Sequence, residues 1–144
     1  WDNTESDVKS WNWDRSKLTV GDYTGDGKAD IGILYNNGQT EDSRNKSALW
    51  TFASTGAGFS NPLRKWDSGS DSWNTNVSKL TSGDFDGDGK TDIGVLYGYG
   101  RQDGGTNRTG LWKFTSTGPA FTAPVFTWDS DDSGSWNWYR SDLA

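Results

Sequence analysis

Residues 16–35 read S-K-L-T-V-G-D-Y-T-G-D-G-K-A-D-I-G-I-L-Y, and residues 78–97, which start 62 positions later, read S-K-L-T-S-G-D-F-D-G-D-G-K-T-D-I-G-V-L-Y. A fixed period of this length indicates a repeat architecture. The correspondence continues through the aromatic residues and prolines that follow each block, in the pairs Trp50/Trp112, Phe52/Phe114, Phe59/Phe121, Pro62/Pro124 and Trp66/Trp128. The chain is therefore expected to contain two equivalent structural units.

A third copy begins near the end of the chain. The motif S-W-N-W at residues 10–13 recurs as S-W-N-T at 72–75 and as S-W-N-W at 135–138. We assign residues 1–144 to a single domain, with a first unit at about 10–71 and a second at about 72–134. The overhangs are then 1–9, in which Trp1 and Asp2 end a preceding unit, and 135–144, which begins a following one.

Each unit contains four short strand candidates and no sustained helical period. The candidates are rich in β-branched and aromatic residues and are bounded by Gly, Asn, Asp, Ser or Pro. Four antiparallel strands per unit predict an all-β chain made of two β-propeller blades. A parallel β-helix or a sandwich of tandem hairpins is the alternative. The predicted strands are Leu18–Asp22, Ile31–Tyr35, Ala48–Ser54 and Leu63–Asp67, then Leu80–Asp84, Ile93–Tyr97, Gly110–Ser116 and Val125–Asp129.

The number of units sets a constraint on assembly. Propellers close with about four to eight blades, so two blades would leave apolar faces uncovered. The chain is expected to be either a fragment of a longer protein or one subunit of a homo-oligomer, with a trimer favoured. Residues 11–19 and 136–144 are equivalent segments, and in a closed ring they would compete for one position.

Composition excludes several classes of function. The chain has no His, no Cys and no Met, so it lacks the usual general base, thiol nucleophile and soft metal ligands, and it forms no disulfide. Its formal net charge of -6 argues against a nucleic-acid partner. No apolar run is long enough to span a bilayer. No signal peptide is present, so the chain is expected to be a mature form or not secreted.

Two acidic loops have the spacing of calcium ligands. Residues 22–30 and 84–92 place oxygen donors at loop positions 1, 3, 5 and 9, a backbone carbonyl at 7 and Gly at 6, but no Glu follows at position 12. A pair of solvated Asp-Gly turns is the alternative. The loops predict two structural Ca²⁺ sites, the weaker one in the first loop, where Thr24 stands in place of an Asp. The predicted ligands are Asp22, Thr24, Asp26, Lys28 and Asp30, and Asp84, Asp86, Asp88, Lys90 and Asp92.

The block D-x-[DT]-G-D-G-K-x-D-I-G-[IV]-L-Y, followed by L-W-x-F and W-D-S, resembles the FG-GAP/VCBS-type repeats of integrin-like propellers. It is most similar to the Trp-rich repeats of secreted actinobacterial proteins. The resemblance covers almost the whole chain. It implies a propeller fold, structural Ca²⁺ and an extracellular location. It implies no single function, since such blades serve adhesion, carbohydrate binding and accessory roles in enzymes.

The end of each blade opposite the acidic loops is the expected ligand-binding end. It carries the loops 36–46 and 98–108, where the repeats differ most, and the linkers 66–73 and 128–136. Aromatic faces together with amide, carboxylate and guanidinium groups suit a sugar. Packing between blades is the alternative role for the recurring Trp residues. The candidate ligand residues are Trp13, Trp73, Trp136, Trp138, Asn37, Tyr99, Arg44, Arg101, Asp103, Asn107 and Arg108.

These features favour a secreted, multivalent carbohydrate-binding protein, a lectin for a small neutral or deoxy sugar. Two-blade chains that assemble into a ring are similar in architecture to a lectin design of bacteria and fungi. The alternative is a calcium-stabilised structural or adhesion module cut from a larger secreted protein. An enzyme is not expected, because most regularly placed Asp residues already belong to the calcium loops.

Overall fold

The computed structural model describes residues 11–132 and 134–143, and it contains two four-stranded sheets. Each sheet is an antiparallel meander in which the strands follow chain order. Short 3₁₀ turns lie at Trp13–Arg15, Thr75–Val77, Ser130–Asp132 and Trp138–Arg140. The first sheet consists of β1 (Ser16–Gly21), β2 (Asp30–Gln39), β3 (Asn45–Phe52) and β4 (Leu63–Asp67). The second consists of β5 (Ser78–Gly83), β6 (Asp92–Arg101), β7 (Asn107–Phe114) and β8 (Val125–Asp129).

The predicted all-β chain with four strands per unit is confirmed for the described residues. Every pair of neighbouring strands in the two sheets is antiparallel, so the parallel β-helix alternative is wrong. The bounds of β4 and β8 agree with the prediction. The predicted overhang at residues 1–9 lies outside the described residues. No helix in the described part of the chain is long and apolar enough to cross a membrane.

The predicted loops 36–46 and 98–108 are wrong in extent. Strands β2 and β3 continue through most of the first segment, and the hairpin turns only at residues 40–44; the second turns at 102–106. A register shift at Asn36/Gly38 and another at Gly98/Gly100 allow the pairing to continue. Gly38 takes a left-handed backbone, with φ 89°, which favours glycine. These segments are therefore mainly strand edges.

The recurring S-W-N motif is a small structural unit. The Asn side chain caps the 3₁₀ turn that follows it, and the Trp indole N–H donates to a Ser hydroxyl five residues later. The capping residues are Asn12, Asn74 and Asn137. The indole–hydroxyl pairs are Trp11–Ser16 at 3.0 Å, Trp73–Ser78 at 3.2 Å and Trp136–Ser141 at 2.7 Å. The start of the third repeat thus folds like the starts of the other two.

Trp73 packs between the two sheets. Its ring lies 6.0 Å from Trp66 of the first sheet and 5.1 to 5.5 Å from Tyr97, Phe114 and Trp112 of the second. These contacts are edge-to-face, a preferred arrangement of aromatic pairs. Trp73 is 6% exposed and belongs to the buried cluster that Leu34 and Ile93 also join. The main core is therefore the junction between the sheets.

Polar contacts fix how the sheets lie side by side. At β1 and β5, Lys17 Nζ donates to the carbonyl of Ser78 at 2.6 Å, and Ser82 Oγ donates to the carbonyl of Val20 at 2.6 Å. Farther along the junction, Ser116 Oγ donates to the carbonyl of Tyr23 at 2.7 Å. The bond from Ser116 is buried, that from Lys17 is partly buried and that from Ser82 is exposed, and together they hold one relative position of the two sheets.

Replacing Trp73 by Ala should destabilise the protein far more than replacing its equivalent Trp136. Trp73 contacts both sheets, whereas Trp136 is 48% exposed and packs on Trp128. We expect a loss of about 3–5 kcal/mol in the free energy of unfolding for W73A and about 1–2 kcal/mol for W136A. Urea unfolding followed by circular dichroism measures both losses. Equal losses would contradict the assigned role of Trp73.

Candidate functional site

The second acidic loop gathers three carboxylates at one point. One oxygen from each of Asp84, Asp86 and Asp88 lies within 4.8 Å of the others, and all three side chains are exposed. The backbone winds around Asp84, whose carboxylate accepts from the N–H groups of Gly87 at 2.7 Å and Gly89 at 3.0 Å. Gathered hard oxygen donors of this kind can hold a metal ion.

The first acidic loop has the same backbone but fewer carboxylates. Asp22 accepts from the N–H groups of Gly25 and Gly27 at 2.6 and 2.7 Å. Its partial burial acts to raise its pKa, but these and neighbouring N–H donors outweigh that effect and lower the pKa. Thr24 donates its hydroxyl to Asp22 and adds no carboxylate. The weaker donor set predicted for this loop is consistent with the geometry.

The two lysines at loop position 7 pair with the carboxylates two residues earlier. Lys28 Nζ lies 2.8 Å from Asp26, and Lys90 Nζ lies 2.6 Å from Asp88. The hydrogen bond from Lys90 holds the pKa of Asp88 below its usual value, and that from Lys28 does the same for Asp26. A bound cation would compete with each ammonium group for its carboxylate.

The Asp at loop position 9 is buried and braces each loop. Asp30 accepts from the backbone N–H groups of Tyr23 and Ser54 at 3.1 and 2.8 Å. Asp92 accepts from Phe85 and from Ser116 at 3.3 and 2.9 Å, and desolvation raises its pKa. Both carboxylates therefore tie the acidic loop to the segment that follows β3 or β7.

A groove of about 290 Å³ lies between the two sheets beside Trp73. Its apolar lining consists of aromatic rings from both sheets and from the linker between them, together with Ala123 and Pro124. Its polar lining comes from the last residue of β4 and from the linker between β4 and β5, at the end opposite the acidic loops. The aromatic residues are Trp66, Trp73, Tyr97, Tyr99 and Trp112, and the polar ones are Asp67, Ser68, Asp71 and Ser72.

Hydrogen bonds orient the aromatic lining. The indole N–H of Trp112 donates to the hydroxyl of Tyr99 at 3.0 Å, and the hydroxyl of Tyr97 accepts from Asn74 at 3.3 Å. Burial raises the pKa of both tyrosines, so both hydroxyl groups stay protonated at neutral pH. Because the Tyr99 oxygen already accepts a bond, its own proton is available to donate to a ligand.

Four of the predicted ligand residues meet at a smaller pocket of about 130 Å³, formed in part by Tyr99, Asn107, Arg108 and Trp138. The Arg108 guanidinium stacks on Tyr99 at 4.7 Å and binds Asp129 at 2.5 Å. That hydrogen bond lowers the pKa of Asp129. Arg108 is therefore occupied by its own neighbours, and we regard this pocket as the less suited to a ligand.

The other predicted ligand residues do not join either pocket, except for Trp73, which lines the groove. Trp13 is 81% exposed on its 3₁₀ turn, and Trp136 packs on Trp128. Arg44 donates to the carbonyl of Ser70 and pairs with Asp42. Asn37, Arg101 and Asp103 are exposed on or beside the hairpins.

Sequence reasoning missed Asp67, Asp71 and Trp66 as site residues. The linker 66–73 lies at the predicted ligand end, but neither Trp66, for which packing between blades is the alternative, nor the two Asp residues are among the predicted ligand residues. Tyr99 and Trp73 were named, but only the packing of the sheets places them together.

No family model and no curated protein matches the chain.

Removing divalent cations should lower the melting temperature. A ligand that binds only the folded state adds about 2–3 kcal/mol of stability at a hundredfold excess over its Kd. Thermal unfolding in EGTA and in added Ca²⁺ measures the difference. Asp88→Ala should reduce it more than Asp26→Ala, since three carboxylates gather only in the second loop, and Asp103→Ala is the control. A melting curve that EGTA leaves unchanged would count against both loops.

Proposed function

We propose that this chain is a carbohydrate-binding protein, a lectin, whose site is the groove between the two sheets. The observation that carries the proposal is the lining of that groove: five aromatic side chains together with Asp67 and Asp71. Aromatic rings pack on the apolar C–H face of a sugar ring. Carboxylates and hydroxyls at the rim accept and donate to its hydroxyl groups.

The charge of the site favours a neutral ligand. The rim contributes two carboxylates, and the whole chain carries a formal charge of -6. A uronic or sialic acid would meet like charge there. A neutral hexose or deoxyhexose would not, and the deoxy position of the latter would add apolar contact with the rings.

We further propose that the two sheets are adjacent blades of a calcium-stabilised β-propeller in a secreted protein. Three observations support the blades: the meander order, the side-by-side position of β1 and β5, and a third repeat that starts in the same way. A ring of about four to eight blades would be completed by further copies, with three chains favoured. Several grooves on one particle would turn a weak affinity into avidity. The carboxylates of Asp84, Asp86 and Asp88 would hold the Ca²⁺.

A second candidate is a structural or adhesion module with a protein partner. The observation that favours it is the exposure of apolar side chains in both units, including Leu18 of β1 and Phe85 of the second acidic loop. Binding to an immobilised panel of neutral hexoses and deoxyhexoses separates the two functions. The lectin predicts binding to a defined sugar, and the module predicts none.

Asp71→Ala should weaken sugar binding by about tenfold, because one charge-assisted hydrogen bond to a sugar hydroxyl is lost. Asp71 is exposed at the rim, so its replacement should leave the melting temperature nearly unchanged. Titration calorimetry with the sugar selected from the panel gives the change in Kd.

The matched control is Asp103→Ala, which removes an exposed carboxylate from a hairpin turn outside the groove. Equal affinity of both variants and the unaltered protein would place the sugar elsewhere and refute the groove.

A further inference from the structure

We propose that the outer face of the second sheet binds the outer face of the first sheet in a second copy of this chain, head to tail. The binding displaces the segment 136–143. The side of the first sheet that contacts the second sheet, and the equivalent side of the second sheet, are called the back face; the opposite side of each sheet is called the front face. Inside the chain, the back of the first sheet meets the front of the second.

The back face is buried in the first sheet and only partly covered in the second, where Leu96 is buried but Phe85 is exposed. Tyr23 is 1% exposed, whereas its equivalent Phe85 is 49% exposed. Leu49 is fully buried and its equivalent Leu111 is only partly covered. Beside Phe85 and Leu111 lies an almost entirely apolar cavity of about 350 Å³. Such a surface is stabilised when another apolar surface covers it.

The front face shows the reverse pattern. In the second sheet Phe121 is 6% exposed, whereas its equivalent in the first sheet, Phe59, is 44% exposed. Leu18 is 62% exposed, and it lines an apolar cavity of about 320 Å³ together with Ile31 and Phe59. Ile33 and Phe52 on this face are already buried, so the front of the first sheet leaves uncovered only part of a surface whose equivalent is buried in the second sheet.

The two open faces have the chemistry of the two faces that already pack together. The front pairs are Leu18/Leu80, Ile31/Ile93, Ile33/Val95 and Phe59/Phe121, and the back pairs are Tyr23/Phe85, Gly32/Gly94, Leu34/Leu96 and Leu49/Leu111. Lys113 replaces the buried Thr51 on the back, and its ammonium group reaches to 3.9 Å from Asp92. Because front and back differ, the expected contact is heterologous, and it generates a ring or an open chain.

The segment 136–143 occupies the place where the second copy would begin. Trp136 donates its backbone N–H to Asn107 at 3.0 Å, as Trp73 donates to Asn45 at 3.0 Å. Lys79 Nζ donates to the carbonyls of Trp138 and Ser141, and Lys17 Nζ donates to those of Asn76 and Ser78, the last being the equivalent of Ser141. Residues 11–18 carry the same motif, so the two segments compete for this site.

Each junction between two copies would also form a second groove of the same kind. This part of the proposal rests on the proposed function. Trp128 would supply one wall, and Tyr35 and Trp50 of the second copy would supply the other. Among the described residues, the Trp50 indole N–H is buried with no hydrogen-bond partner, because Asn37 replaces the Tyr99 that serves Trp112. Assembly should therefore raise the sugar stoichiometry from one to two per chain.

Sedimentation velocity over a range of concentrations, with pairs of variants, tests the interface. Leu18→Lys on the front face and Phe85→Lys on the back face should each weaken association by about tenfold or more. An equimolar mixture of the two should form dimers and nothing larger, because each variant keeps the face that the other lacks. Leu63→Lys is the matched control, since Leu63 is 57% exposed and lines neither cavity.

Trp138→Ala tests the displaced segment. Its indole donates to the carbonyl of Leu96 at 2.8 Å, so its loss should loosen the segment and strengthen association severalfold.

Self-association of both lysine variants at the strength of the unaltered protein, or no dimer in their mixture, would overturn the proposal. The proposal would also be overturned if both the unaltered chain and W138A remained monomeric at all concentrations. Association without sugar binding would refute the lectin alone, and sugar binding without association would refute this interface alone.

Discussion

The packing of Trp73 between the two sheets is the contact on which the rest of the structure depends. The chain has few aliphatic residues, so edge-to-face aromatic contacts provide much of the junction. The same indole is held by Ser78, which fixes the ring relative to the start of β5. The aromatic core beside each sheet is therefore completed by side chains of the neighbouring sheet.

That junction also creates the candidate site. Trp66 comes from one sheet and Tyr99 and Trp112 from the other, so the groove exists only while the sheets stay packed. The acidic loops help to hold the two sheets together at the opposite end of the junction. The buried Asp92 binds the backbone of Ser116, and Ser116 in turn binds the carbonyl of Tyr23 across the junction. The acidic loop, the packing of the sheets and the candidate groove are thus structurally connected.

The repeat made the strands predictable, because equivalent residues must take equivalent places. Strand β4 begins directly after Pro62, a boundary that the sequence shows. The hairpin limits were missed, because residues such as Asn36 and Gly38 favour turns but here form a bulge inside a continuing strand. The groove was only partly predictable. Tyr99 and Asp71 lie in different units, and only the packing of the sheets brings them together.

The indole N–H signals of the ten Trp residues in a ¹H–¹⁵N spectrum test the central claim most directly. That claim is that the junction between the sheets forms the ligand site. Titration with the sugar selected from the panel of hexoses and deoxyhexoses should shift the signals of Trp66, Trp73 and Trp112, which line the groove, and leave that of Trp13 in place. Shifts confined to Trp13, or no shift at the three groove residues under saturating sugar, would contradict the account.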